Sequence, residues 1–191
     1  MLVLNAQLTG ASVMSLQTGG TLGVLAEPII DPRKLMIVAY YVVGPRVEGV
    51  SVLHTSDIRE IGPLGIIVDG AESIMSVDED LVRLQEVINF RFNLLNKLVI
   101  NEDKKKLGKV TEYTLDTESF LIQKIHVGQS VIKNFKNSNL LIHRSQVVEI
   151  SNEKITVRSG SIPDQVGLAQ VLNPFRKAPN LSPEASAPQI H

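Results

Sequence analysis

Two stretches of this chain set histidine, serine and glutamate in one repeated order: Leu53-His54-Thr55-Ser56-Asp57-Ile58-Arg59-Glu60-Ile61 and Ile142-His143-Arg144-Ser145-Gln146-Val147-Val148-Glu149-Ile150. A hydrolytic triad can be drawn from these three residue types. Such a triad also needs the nucleophile held against the histidine and oxyanion donors nearby. No GxSxG elbow or glycine-rich turn follows either stretch to supply them. Capping and hydrogen bonding in a turn account better for His54, Ser56, His143 and Ser145. The chain is therefore read as a non-enzyme with no catalytic residues.

Other chemistries fare similarly. The four histidines, at 54, 126, 143 and 191, show no ligand spacing, and the chain has no cysteine, so neither metal nor cofactor is expected. Asp78-Glu79-Asp80 stands at a helix start, where carboxylates complement the macrodipole. Asp31 and Asp116 hold equivalent turn positions and do not form an acid/base pair. Gly19-Gly20-Thr21-Leu22-Gly23 lacks the Lys-Ser/Thr of a phosphate loop. Lys104, Lys105, Lys106 and Lys109 form the one basic run, able to touch RNA phosphates or an acidic protein. No aromatic residue is interleaved with it, and a solvated hairpin tip is the favoured reading.

The elements that position these residues are mostly strands. Hydrophobic residues make up 43% of the 191 and aromatics only 4%, so the core is built from Val, Ile and Leu, which favour strands. No apolar run approaches the roughly 20 residues that span a bilayer. The opening MLVLNAQLTG lacks the basic region of a signal peptide, so a soluble cytoplasmic protein is expected. Charge is unevenly placed. Residues 1–90 carry 5 Lys+Arg against 11 Asp+Glu, and residues 91–191 carry 14 against 9.

In order, strands are predicted over 22–30, 35–43, 50–54 and 66–69, broken by Asp31-Pro32 and Gly44-Pro45. Ser76 and Glu79 have capping-box spacing, and Leu81, Leu84, Val87, Ile88 and Phe92 recur at helical intervals. This predicts a helix over 76–95, packed on protein or serving as a dimer face. Strands at 98–101, 107–115, 120–128, 140–143, 147–150 and 154–157 follow. From Pro174 the chain holds 4 Pro in 18 residues, which predicts a disordered tail.

The chain contains one pattern twice. Gly23 matches Gly108, Asp31 matches Asp116, Leu35 matches Phe120 and Ile37 matches Ile122 at a spacing of 85. His54 matches His143 at 89. LGKVTEYTLDTESFLIQKIHV followed by LLIHRSQVVEISNEKITV resembles the PRC-barrel family, which includes the barrel of the photosynthetic reaction centre H subunit and the C-terminal domain of the bacterial ribosome maturation factor. His54 and His143 stand where that family often has proline. The resemblance implies an all-β protein of two tandem small barrels. Barrel 1 would span 1–75, a connecting helix 76–95, barrel 2 96–160, and an extension and tail 161–191. It further implies a non-catalytic assembly module with a protein partner and no membrane insertion, with a second copy of the chain as another candidate partner. The alternative is an accessory factor of ribosome maturation or RNA metabolism, contacting RNA or a ribosomal protein.

Overall fold

Two long hairpins set the architecture, each closed by a turn in which an aspartate binds the residues that follow it. In the computed structural model, residues 1–45, 47, 49–77, 81–128 and 140–159 are described, those at 81–83 by their backbone alone. The chain opens with β1 (Leu2–Leu4) and the single-turn helix α1 (Asn5–Leu8). There follow β2 (Ser12–Ser15), β3 (Thr21–Asp31), β4 (Met36–Val43), β5 (Ser51–His54), β6 (Ile58–Gly62), β7 (Gly65–Val68) and β8 (Ile74–Ser76). Helix α2 (Leu81–Asn89) leads to β9 (Leu98–Asn101), β10 (Lys106–Asp116), β11 (Ile122–Gly128), β12 (Leu140–His143), β13 (Val147–Ile150) and β14 (Lys154–Val157). The fold is mostly β.

The strands form two sheets. One runs β6-β7-β2-β3-β4-β5-β8, and the other β13-β14-β9-β10-β11-β12 with β1 added beside β10. The first six strands of each path follow one plan. In each, a single parallel pair, β2 with β7 or β9 with β14, joins otherwise antiparallel neighbours. Among the described residues no ladder joins the two edges of either sheet.

The correspondence extends upstream of the segment where the sequence shows it. Gly10 and Asn96 both have positive φ, 82° and 64°. Their N–H groups donate to Leu25 O and Val110 O, each at 2.8 Å. Leu8 and Leu94 just before them are fully buried. Gly108, at φ 149°, lies so close to β11 that an added Cβ would collide with the carbonyl oxygen of Gly128. A Cβ on Gly23 would lie 2.9 Å from Val43 O. Glycine is required at both places because two strand backbones meet there.

The halves meet through their hairpin turns. Leu35 and Phe120 occupy the left-handed region, at φ 49° and 54°. Ile37 N–H donates to Phe120 O at 3.0 Å, and Ile122 N–H donates to Leu35 O at 2.9 Å. Each bond is the other's image under the spacing of 85, so the halves are related by a pseudo-twofold axis through the crossing turns. One hydrophobic cluster spans the junction, including Val13, Tyr40 and Ile66 from one side and Val99, Tyr113 and Ile155 from the other.

Three expectations need correction. The helix covers Leu81–Asn89, not 76–95, and Ser76 is in β8, paired with Ser51, so it does not cap the helix. Phe92 leaves the helical stripe and enters the main core, while Leu84 and Val87 pack on Ile29, Ala39 and Val52 of the first sheet. Residues 2–4, in the first half by sequence, pair with Thr114–Asp116 in the sheet of the second. The expected tail, residues 161–191, lies outside the described residues, as do Asp78-Glu79-Asp80.

Leu84 is only 3% exposed. Leu84→Asp, which buries an unpaired charge, is expected to lower unfolding free energy by several kcal/mol (roughly 3 or more) in denaturant titration. A change within about 0.5 kcal/mol, the range of surface substitutions, would show that α2 does not pack on the sheet.

Candidate functional site

Beside the crossing turns lies a groove of about 510 Å³ with walls from both halves of the chain. The β3–β4 turn supplies Arg33, Lys34 and Leu35; the segment after α2 supplies Phe90 and Phe92; Arg144 and β13 close the far side. Proline fixes φ, which suits Pro32 to a tight turn. Asp31 then accepts from Arg33 N at 2.9 Å and Nε at 3.1 Å. Burial alone would raise the Asp31 pKa, but these bonds and the charge of Arg33 hold it below the ordinary value. The guanidinium of Arg33 also stands 5.3 Å from the ring centre of Phe90 and 3.4 Å from a Glu86 oxygen. Arg33 is thus committed to the protein itself.

Arg144 and Lys34 are not. Arg144 sits in a 3₁₀ turn, Arg144–Gln146, and donates through Nη2 to the backbone oxygen of Lys34 at 3.1 Å. Its Nη1 is buried without an acceptor, and no carboxylate pairs with it among the described residues. Lys34 has no ion pair among them. The groove also has apolar surface in contact with water: Phe90 is 37% exposed and Val148 is 52% exposed. Behind it, Lys97 is nearly buried, donating to Asn152 O at 2.7 Å and lying 4.4 Å from the Phe92 ring centre. Burial lowers its pKa. Fixed cations beside apolar side chains suit a carboxylate or other anion carried on a partly apolar ligand.

The residues singled out by sequence do not converge on one place. His143 caps the 3₁₀ turn: its Nδ1 is 2.8 Å from Ser145 Oγ and 3.2 Å from Ser145 N, and Gln146 Oε1 accepts from His143 N at 2.7 Å. The backbone donor assigns Nδ1 as an acceptor, with the ring proton on Nε2. No hydrogen bond joins Glu149 to His143. His54 precedes the equivalent turn, Thr55–Asp57, without a side-chain cap. There Thr55 Oγ1 donates to Val38 O at 3.1 Å. Asp116 binds Ser119 Oγ at 2.7 Å. Lys104, Lys105, Lys106 and Lys109 are exposed around the β9–β10 turn, where Lys105 N donates to the Asn101 side chain. Gly23 and Gly108 are strand contacts, as described above.

His126 departs from the expected alternation. Alternation with the apolar Ile125 and Val127 would put it on the polar side of β11, yet it is 5% exposed, with Nε2 2.8 Å from the hydroxyl of the buried Thr114. Arg144, Lys34 and Phe90 were missed altogether. No local pattern marks them, since they are separated by tens of residues and become neighbours only through the crossing turns.

No protein-family model matches the chain, and no curated protein matches it. Among the described residues, no helix is long and apolar enough to cross a membrane.

Burial lowers the pKa of His126, with the charge of Lys124 adding to the effect. The unfolded chain takes up this proton near the ordinary value of about 6.5, and the folded chain does so only below it. Stability should therefore fall as pH drops from that value toward the lower folded one. Glu112 works in the opposite sense. Burial raises its pKa despite bonds from Tyr113 N and Ala6 N, so its contribution is present at low pH and lost as pH rises through the folded value. Comparing wild type with His126→Gln leaves Glu112 common to both. Wild type is expected to lose stability relative to the variant on acidification from about pH 7.5 to 5.5; a constant difference would refute a buried neutral imidazole.

Proposed function

We propose that this chain is a non-catalytic binding and assembly module of the cytoplasm, built from two PRC-like barrel repeats, which holds a protein partner in the groove beside the crossing turns. One observation carries the reading. The groove presents an arginine and a lysine that no carboxylate pairs with among the described residues, next to exposed Phe90 and Val148, on a framework locked by backbone hydrogen bonds. Such a surface has charge for orientation and apolar area for affinity, as protein interfaces do. The shared strand order of the two sheets supports the repeat reading.

A second reading rests on a different surface. The exposed lysines at 104, 105, 106 and 109 suit phosphate contact, and with it a role in ribosome maturation or RNA metabolism. A photo-crosslinking residue at position 148 separates the two in native lysate of the source organism. One defined adduct that survives ribonuclease is expected, and it should vanish when Lys34→Glu is added. Only ribonuclease-sensitive adducts, or adducts indifferent to Lys34→Glu, would overturn the groove as the binding surface.

A further inference from the structure

We propose that the groove recognises an acidic peptide segment, with Arg144 and Lys34 receiving carboxylates on either side of an apolar residue seated against Phe90 and Val148. The inference rests on the assembly-module reading above and names the chemistry of its partner.

The pseudo-twofold axis supplies the argument. It gives the groove positions of the β3–β4 turn and of the segment from Arg144 to Ile150 counterparts on the opposite face, at spacings of 85 and 89. Positions that hold the fold together keep their character. Leu35 corresponds to Phe120, Val147 to Ile58 and Ile150 to Ile61, all packed in or against the main core. Positions outside that core do not. Lys34 corresponds to Ser119, Arg33 to Glu118 and Arg144 to Thr55. Val148 corresponds to Arg59, whose guanidinium is paired with Asp69 at 2.7 Å. Folding the repeat therefore needs neither a cation at 34 or 144 nor an exposed valine at 148. One face of a symmetric junction has acquired cations and apolar surface together.

The unpaired donors indicate what fills that face. Lys34 is exposed, Arg144 lines the groove, and neither has a carboxylate partner among the described residues, so a carboxylate entering the groove meets uncompensated positive charge. Charge-assisted bonds from a guanidinium to a carboxylate are among the strongest hydrogen bonds in proteins. Glu149 in the wall and Glu86 at the rim disfavour a continuous polyanion. A nucleic acid would carry a phosphate at every residue past both of them, whereas a peptide can place its two carboxylates at 34 and 144 alone. The exposed Val148 and Phe90 give the intervening side chain an apolar seat that a phosphate backbone does not use.

The test uses the full chain and fluorescein-labelled, terminally blocked peptides read by anisotropy. The probes are Gly-Glu-Leu-Glu-Gly, its Gln-Leu-Gln isostere and a ten-nucleotide oligouridylate. The Glu peptide is expected to bind, and the Gln isostere to bind at least about tenfold more weakly. Arg144→Ala should weaken the Glu peptide by a similar factor, as should Val148→Asp. The exposed positions 34 and 148 can be changed with little effect on the melting temperature, so Lys34→Glu and Val148→Asp keep the test valid if Arg144→Ala impairs folding. Glu118→Lys on the opposite face should leave binding within about twofold. Equal binding of the two peptides, indifference to both Lys34→Glu and Val148→Asp, or displacement of the peptide by oligouridylate at lower concentration would each overturn the proposal. If the ribonuclease-resistant adduct at 148 persists while no acidic peptide binds, the ligand class is wrong and the assembly module stands. If both fail, the groove is not the binding surface.

Discussion

Everything in this molecule is arranged about two hydrogen bonds, Ile37 N–H to Phe120 O and its image, Ile122 N–H to Leu35 O. A hairpin turn ordinarily leaves such groups to solvent. Here each turn is bent so that its backbone completes the other, at the cost of left-handed conformations at Leu35 and Phe120. Those residues are large and apolar, 5% and 6% exposed, and their burial in the shared core offsets the strain. The constraint is mutual. Neither turn can relax without stranding polar groups of its neighbour, and the two sheets are thereby held in one register.

A junction of this kind creates grooves as a by-product. Two convex turns meeting across an axis leave a hollow on either side, and the walls of each hollow come from both copies. The hollow lined by Arg144 and Lys34 has cations that no carboxylate pairs with among the described residues. The difference lies wholly in side chains that the fold does not need, so its chemistry is free to differ from that of the scaffold. Arg33 illustrates the boundary between the two roles. It faces the groove, yet Asp31, Glu86 and Phe90 occupy its guanidinium, and it serves chiefly to stiffen the turn that presents Lys34.

Elsewhere among the described residues Asn5 Oδ1 and the Tyr40 hydroxyl are buried without a partner, whereas two other polar groups of the second sheet are paired as the ordinary rule requires. His126 has Thr114, and Glu112 accepts from Ala6 and Tyr113 N–H groups, fastening α1 to β10. Thr114 pairs with Leu4 of β1 and Glu112 binds Ala6 of α1, so both lie where the start of the chain joins the second sheet. The crossing strand makes the halves interdependent in a second place.

The sequence by itself determined the repeat and ten of the strands, but not β1, β2, β6 or β8. Leu98–Asn101, Leu140–His143, Val147–Ile150 and Lys154–Val157 fall where alternation and turn residues put them, because a half-buried strand shows its period in adjacent residues. Asp31 and Asp116 were legible as turn residues for the same local reason. The helix was overextended because Phe92 has helical spacing from Ile88 but answers to the core instead, and β6 went unread in the first copy because Ile58–Gly62 alternates weakly. His126 is buried against its alternation with Ile125 and Val127, because alternation gives the side of a strand and not what covers that side. The candidate site was decided by tertiary structure alone. Lys34, Phe90 and Arg144 have no shared spacing, and what joins them is the crossing of two turns 85 residues apart. Periodicity describes a chain's relation to its immediate neighbours; the groove depends on a backbone-to-backbone contact that is blind to side-chain identity and so leaves no pattern to read.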